Sequence, residues 1–125
     1  MMNSSSNSFV QVGEDQIRYD QFVRQLFKAD TEPMMALHAA LGVCGEAGEL
    51  ADAIKKQYIY GKQVNISNII EELGDLKFFI QAVMNHYGLK EQYVLQVNAN
   101  KLSVRYSGLR YTNEAAIARA DKKGA

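Results

Sequence analysis

Residues 67–88, SNIIEELGDLKFFIQAVMNHYG, carry the clearest structural signal in the chain. Their apolar side chains recur alternately every four and every three positions, at Ile69, Leu73, Leu76, Ile80 and Val83. That spacing follows one face of a helix with 3.6 residues per turn. Ser67 is a residue type that caps helix N-termini, and Gly88 suits the position just beyond a helix end. The stretch therefore predicts one long amphipathic helix.

Similar periodicity predicts helices on both sides of this one. With approximate bounds, they lie at residues 14–29, 31–57 and 90–106, and a further short turn is expected at 113–120. Pro33 fits the first turn of the second helix, where its missing N–H costs nothing. Four to five helices with short connections predict an all-α bundle. We expect a flexible lead-in at 1–13, which is rich in Ser and Asn, and a single helical domain at 14–125.

Composition and charge exclude several classes of protein. Apolar residues make up 47% of the 125 residues, enough for a modest core that a second subunit would complete. Fourteen Lys and Arg balance fourteen Asp and Glu, so no basic surface for nucleic acid or anionic lipid is expected. Cys44 is the single cysteine, which excludes an intramolecular disulfide and a multi-cysteine zinc site. No apolar run approaches the roughly 18 residues of a membrane span, and we expect a cytoplasmic protein.

Acidic residues are concentrated in two short segments, GEAGE at 45–49 and EELGD at 71–75. Each segment places two carboxylates three positions apart, which separates them by about 60° around a helix axis. If the two helices pack together, they direct four carboxylates into one cleft: Glu46, Glu49, Glu72 and Asp75. Oxygen ligands of this kind suit a hard cation, Mg²⁺ or Mn²⁺, and more than one ion could be held. Without a cation the like charges would repel one another.

The faces of the two helices leave two interpretations open. On the third helix Glu72 lies beside the apolar stripe, whereas Glu71 points nearly away from it. On the second helix Glu46 and Glu49 lie on a side lined with small residues that has room for a partner helix or a ligand. The opposite side carries the apolar stripe of that helix, which contains Leu37, Ala40, Leu41, Cys44, Ala47, Gly48 and Ala51. Carboxylates opposite an apolar stripe are also typical of an ordinary solvated face. Glycines in mid-helix, at Gly42, Gly45, Gly48 and Gly74, favour close packing or ligand approach, because each weakens a helix by about 1 kcal/mol.

Both acidic segments resemble a known family. The run LGVCGEAGELAD at 41–52, followed by Lys55 and Lys56, resembles the first signature of the MazG-like all-α nucleoside triphosphate pyrophosphohydrolases. The run IIEELGD at 69–75 resembles the second, and 22 residues separate the Glu-x-x-Glu pair of the first from the Glu-x-x-Asp pair of the second. Residues 98–106, NANKLSVRY, are similar to the helix that follows in that family, and the tail at 112–122 is similar to the end of its short members.

The resemblance implies a reaction and a site. It implies a metal-dependent hydrolysis of a nucleoside triphosphate between the α- and β-phosphates, in a homodimer or homotetramer. The four carboxylates would hold Mg²⁺ or Mn²⁺ and act in catalysis, and one of them would take the proton of the attacking water. We select Glu49 for this role, although the sequence does not rank the four. The side chains expected to bind the substrate are those of Lys56, Asn98, Lys101 and Arg105. A purine deoxynucleotide such as dGTP is the expected substrate, on the resemblance alone.

Two other functional classes are the alternatives to the hydrolase. A non-catalytic helical module that binds nucleotides or assembles with partners would keep the same fold. A di-iron carboxylate bundle needs Glu-x-x-His pairs on two helices, and this chain contains none. The sequence therefore favours the hydrolase and leaves the binding module as its alternative.

Overall fold

The structure, a computed structural model, describes residues 8–27 and 32–122. Within these ranges the fold is all-α, with a small two-stranded hairpin added at the start. Its elements are β1 (Phe9–Val12), β2 (Asp15–Arg18), α1 (Tyr19–Leu26), α2 (Pro33–Tyr58), α3 (Ile66–His86), α4 (Glu91–Arg105), α5 (Asn113–Ala118) and a 3₁₀ turn (Ala120–Lys122). They form two compact units, Met1–Leu89 and Lys90–Ala125, each of which is described separately below. The single domain predicted for 14–125 stays a prediction.

The hairpin is the main departure from the sequence-based expectation. The sequence predicts a flexible lead-in to residue 13 and a helix from residue 14. In the structure β1 and β2 lie on either side of this boundary and pair antiparallel. Gly13, with φ of +62°, lies in the tight connection, where glycine accepts a left-handed backbone at little cost. Strands of four residues are too short to give a clear alternation, so the helical spacing that begins at Tyr19 extends falsely into β2. Residues 1–7 and 28–31 lie outside the described residues.

The two long helices begin and end close to the predicted positions. Pro33 occupies the first turn of α2, as the sequence predicts. The N-cap of α3 is Asn65 rather than Ser67, because the Asn65 side-chain oxygen accepts a hydrogen bond of 3.1 Å from the Asn68 N–H. Gly88 follows the end of α3 with φ of +65°, a conformation that glycine adopts readily.

In the first unit α2 packs against α3 through its small residues. Ala39 is fully buried, and Gly42 lies so close to Phe79 that a Cβ atom at Gly42 would be 2.5 Å from the ring. Phe27 of the segment after α1 meets Phe79 edge to face, with ring centroids 6.0 Å apart. The core is small, as the length of the chain predicts. Its buried hydrophobic cluster contains Val23, Phe27, Ala39 and Ala82.

The apolar stripe that the sequence predicts on α2 lies on the exposed side of that helix. Leu37 and Leu41 are 51% and 62% exposed, and Cys44 is also exposed. Ile70 and Leu73 of α3 are exposed as well. Side-chain volume explains the choice of face, because alanine and glycine let the two backbones approach more closely than leucine would.

The second unit consists of α4 and a short folded tail. The Thr112 hydroxyl caps α5 by accepting a hydrogen bond of 3.0 Å from the Ala115 N–H. Arg119 ends α5 in a left-handed conformation, with φ of +49°, and the 3₁₀ turn follows directly. This turn brings the Asp121 carboxylate to the Arg105 guanidinium at the end of α4.

Candidate metal centre

Three of the four predicted carboxylates meet between α2 and α3. One carboxylate oxygen from each of Glu46, Glu72 and Asp75 lies within 4.8 Å of the other two. Glu46 comes from α2, while Glu72 and Asp75 come from α3, one helical turn apart. Glu46 and Glu72 are half-buried, and Asp75 is exposed. The cluster is therefore partly enclosed but open on one side.

The close approach of the two helices explains why these side chains converge. Gly42 lies four residues before Glu46, and Phe79 lies four residues after Asp75. Residues four apart occupy the same face of a helix. The contact between Gly42 and Phe79 consequently fixes the separation of α2 and α3 about one turn from the carboxylates.

The carboxylates of the cluster carry like charges and lie close enough to repel one another. The pKa of Glu72 is raised above its usual value, first by loss of hydration and then by its hydrogen bond with Glu46. The negative charges of Glu46, Glu49 and Asp75 raise the same pKa further. Protonation of one carboxyl group, or a bound cation, would relieve the repulsion within this cluster.

This donor set fits a hard divalent cation. Three carboxylate oxygens at mutual distances below 4.8 Å can belong to one coordination shell, and Mg²⁺ is bound in proteins by such oxygens together with waters and substrate phosphates. Glu49 is exposed and lies outside the group of three, but its charge acts on Glu72. Glu71 is exposed, as expected for the residue that the helix periodicity turns away from the stripe.

The predicted phosphate-binding residues are distributed over both units. Lys56 lies near the end of α2, where its ammonium group forms an exposed ion pair of 3.3 Å with Asp52. Asn98 and Lys101 are exposed on α4 in the second unit. Arg105 is on the same face of α4, since 98, 101 and 105 are spaced by three and four. Unlike the other three, the Arg105 side chain is largely buried, at 15% exposure.

Two residues near these groups were not identified from the sequence. Tyr19, at the start of α1, has its pKa raised by burial and by the negative charge of Asp75. The Asp121 carboxylate accepts hydrogen bonds from Nε and Nη2 of Arg105, at 2.8 Å and 3.2 Å. In the sequence Tyr19 belongs to the apolar face of the first predicted helix, and Asp121 is one acidic residue in a charged tail. No local pattern distinguishes either one, because both depend on contacts far along the chain.

Fold and site together define an all-α protein with an acidic cluster, suited to a divalent cation, between two long helices. The family model of the MazG nucleotide pyrophosphohydrolase domain matches residues 36–109, more than half of the chain. The chain therefore belongs to the MazG family of nucleotide pyrophosphohydrolase domains. No curated protein and no solved structure matched it. Among the helices of the described residues, none has the length and apolar character needed to cross a membrane.

Proposed function

We propose that this protein is a metal-dependent nucleoside triphosphate pyrophosphohydrolase. It cleaves the bond between the α- and β-phosphates of a ribo- or deoxynucleoside triphosphate and releases the monophosphate and pyrophosphate. The observation that carries the proposal is the meeting of the Glu46, Glu72 and Asp75 carboxylates within 4.8 Å. Membership of the MazG family supports the reaction class.

The carboxylates have separate tasks in this proposal. Glu46, Glu72 and Asp75 hold Mg²⁺ or Mn²⁺, and Glu49 extends the acidic set to a second ion. When bound, the cation supplies positive charge that neutralises the triphosphate and lowers the pKa of nearby water. Glu49, which is exposed and lies outside the group of three, takes the proton of the attacking water. An O–P bond forms from that water as the α–β bridging bond breaks in line with it.

Cationic and amide side chains bind the phosphates in the same proposal. Lys56, Lys101 and Arg105 supply positive charge, and Asn98 supplies a hydrogen-bond donor. The substrate is proposed to be a purine deoxynucleotide such as dGTP, which rests on the resemblance to the MazG branch and on no particular side chain. The reaction is proposed to take place in the cytoplasm.

Product analysis tests the reaction class directly. The purified protein is incubated with a panel of ribo- and deoxynucleoside triphosphates, with Mg²⁺, with Mn²⁺ and with chelator. We expect monophosphate and pyrophosphate, lost in chelator and in Glu72→Gln. Glu71→Gln is the matched control, because it makes the same change one residue away on an exposed side chain. Diphosphate and phosphate as products would contradict the proposed bond, and a panel in which only pyrimidine nucleotides react would contradict the proposed base.

The folded protein could also bind nucleotides without turning them over. Binding of a triphosphate by the wild type without any product, in the presence of either cation, would favour the non-catalytic module over the hydrolase. Calorimetry with the same panel measures that binding directly.

We further propose a homodimer or homotetramer. The support is the apolar surface that α2 and α3 leave exposed around Leu41 and Ile70, which are 62% and 63% exposed. Light scattering is expected to give a mass of two or four chains, and Leu41→Glu is expected to lower it. Ile117→Glu, on another exposed apolar residue in α5, is the control and should leave the mass unchanged. A monomeric wild type would contradict this part of the proposal.

A further inference from the structure

A small pocket lies in the second unit, and every residue that lines it belongs to that unit. Its volume is about 320 Å³, which is at the lower end of the roughly 300–1,000 Å³ found for small-molecule sites. The lining comes from α4, including Leu102, and from the segment that follows, including Tyr106, Leu109, Arg110 and Tyr111. A pocket of this size has room for one ring system, and its residue types indicate which kind.

Two tyrosine rings of the lining lie against each other. The ring centroids of Tyr106 and Tyr111 are 5.3 Å apart, and the ring planes are inclined by 40°. Tyr111 is 70% exposed, so its ring does not fill a core. Tyr106 is held in place, because the Arg105 guanidinium that pairs with Asp121 also forms a hydrogen bond with the Tyr106 side chain. One fixed ring beside one accessible ring offers aromatic surface on which a flat ligand can stack.

Leu109 lines the same pocket in a backbone conformation that is unfavourable for leucine. Its φ is +55°, in the left-handed region, although the residue before it is a glycine. The Leu109 N–H donates to the Tyr106 carbonyl at 2.7 Å, which closes the turn. The Leu109 side chain is nevertheless 82% exposed, so the strained backbone is not offset by burial in the fold. A ligand in the pocket would cover Leu109 and Tyr111 together.

Arg110 gives the pocket a positive charge. Its side chain takes part in none of the hydrogen bonds and ion pairs of the residues that the structure describes, and it is exposed. A guanidinium recognises phosphate or carboxylate oxygens through parallel hydrogen bonds. No acidic residue lines the pocket. The pocket therefore combines aromatic surface for a flat ring with a cation for an anionic group.

We propose that this pocket binds a purine nucleoside monophosphate, with the base stacked on Tyr111 and the phosphate at Arg110. A mononucleotide joins a flat ring and an anionic group in one small molecule, and the two fused rings of a purine cover more apolar lining than the single ring of a pyrimidine. The choice of a nucleotide among aromatic anions rests on the proposed function, whose product is a nucleoside monophosphate. Binding needs no metal ion, because the lining supplies its own positive charge.

Calorimetric titration in chelator tests the site, with AMP as the probe. Chelator removes cations from the carboxylate cluster, so the measurement does not depend on hydrolysis. We expect saturable binding of AMP, binding of adenosine that is about tenfold weaker because it lacks the phosphate, and no measurable binding of ribose 5-phosphate, which lacks the base. Binding of ribose 5-phosphate as tight as that of AMP would show a site for anions alone and would overturn the inference.

Variants of the lining show whether AMP occupies this pocket. Tyr111→Ala removes one ring and should raise the Kd of AMP on the order of tenfold. Tyr58→Ala is the matched control, because this tyrosine is 76% exposed in the first unit, and it should leave the Kd unchanged. Arg110→Gln should bring the Kd of AMP to that of adenosine and leave the Kd of adenosine unchanged. Circular dichroism establishes that each variant is folded.

Leu109→Gly separates ligand binding from folding. Glycine accepts a φ of +55°, so the Tm should not fall, whereas loss of the side chain should weaken AMP binding. A lower Tm with unchanged AMP binding would assign Leu109 to the fold and overturn its place in the site.

The outcomes distinguish this inference from the proposed function. Absence of AMP binding by the folded wild type up to about 5 mM, or binding that Tyr111→Ala leaves unchanged, would overturn the inference and leave the hydrolase in place. A protein that binds AMP in this pocket but hydrolyses no triphosphate with either cation would lose the proposed function and keep the nucleotide site.

Discussion

Glu72 and Asp121 are two partly or largely buried carboxylates with opposite surroundings. Glu72 faces other carboxylates, and its pKa is raised by loss of hydration, by the hydrogen bond with Glu46 and by nearby negative charge. Asp121 faces a guanidinium, and its pKa is lowered by the hydrogen bonds from Arg105. The first group lacks a compensating cation among the described side chains in its cluster, whereas the second has one within 2.8 Å.

This difference separates a binding site from a structural contact. A charge that the fold already neutralises, as Arg105 neutralises Asp121, needs no partner from solution. A cluster of like charges opposes folding unless a proton or a cation joins it. The acidic cluster is therefore where we expect a proton or a cation to bind from solution, and each prediction below tests whether the two carboxylates differ in this way.

The largest effect is expected when a carboxylate of the cluster is made neutral. Glu46→Gln should lower kcat/KM by a factor on the order of 10²–10³, because it removes a ligand of the proposed cation. Glu71→Gln is the matched control, since Glu71 is an exposed acid that lies outside the cluster. Initial rates at saturating Mg²⁺ measure both variants. Equal losses in Glu46→Gln and Glu71→Gln would remove the distinction between the cluster and other acids.

A substantial loss of stability is expected when α2 and α3 are forced apart. Gly42→Ala places a Cβ atom against the Phe79 ring and should destabilise the fold by about 1–3 kcal/mol. It should also weaken binding of Mn²⁺, because the carboxylates spread, while leaving the Arg105–Asp121 pair intact. Urea unfolding and Mn²⁺ titration measure the two effects.

Gly45→Ala is the control for that change, on the same helix. A Cβ atom at Gly45 meets no heavy atom within 4 Å, so alanine should stabilise the fold by about 0.5–1 kcal/mol through its helix propensity. Destabilisation of Gly45→Ala equal to that of Gly42→Ala would show that the Phe79 contact does not set the helix spacing.

Stability without metal should depend on pH through Glu72. Its pKa is higher in the folded than in the unfolded state, so protonated Glu72 favours folding at acidic pH. That contribution is fully present below the unfolded pKa and is lost as the pH rises through the raised pKa. Glu72→Gln should therefore have the higher Tm at neutral pH in chelator, and Mg²⁺ should reduce the difference by stabilising the wild type. If the Tm of Glu72→Gln and that of the wild type differed by a constant amount from acidic to neutral pH in chelator, this role of Glu72 would be contradicted.

The opposite dependence is expected at Asp121, as the smallest of these effects. Its pKa is lower in the folded state, so its contribution to stability is present above the unfolded pKa. This contribution is lost as the pH falls through the lowered pKa, so the loss of stability is expected at strongly acidic pH. Asp121→Asn should be less stable than the wild type at neutral pH, with the difference shrinking in acid. A constant difference over the whole acidic range would argue against the ion pair as its cause.

Regular elements with long periodic faces were the part of the fold that the sequence predicted best. The bounds of α3 and α4 follow directly from spacing, because a helix of four or more turns repeats its pattern several times. The predicted seam of α3 is not buried along its whole length, since Leu73 and Ile80 are exposed. The hairpin at residues 9–18 was missed, since four-residue strands depend on pairing with each other. Asn65 rather than Ser67 caps α3, which shows that two suitable residue types near a helix start cannot be ranked by type alone.

Helical spacing also predicted part of the candidate site. Spacing placed Glu46, Glu72 and Asp75 on helix faces, and small residues such as Gly42 left room for a partner helix or a ligand on the acidic side of α2. In the structure α3 occupies that side. The role of Glu49 in the site stays a prediction. Contact between Arg105 and Asp121 joins residues 16 positions apart through a tail of irregular geometry, and periodicity carries no information about such a contact.

Binding of Mn²⁺ tests the central claim most directly. Calorimetric titration compares the wild type with Glu72→Gln, Glu71→Gln and Asp121→Asn, each shown to be folded by circular dichroism. The carboxylate cluster predicts that the wild type, Glu71→Gln and Asp121→Asn bind the ion and that Glu72→Gln loses most of its affinity. Equal binding by Glu72→Gln and the wild type, or no binding by the folded wild type, would contradict the assignment of this cluster as the metal centre.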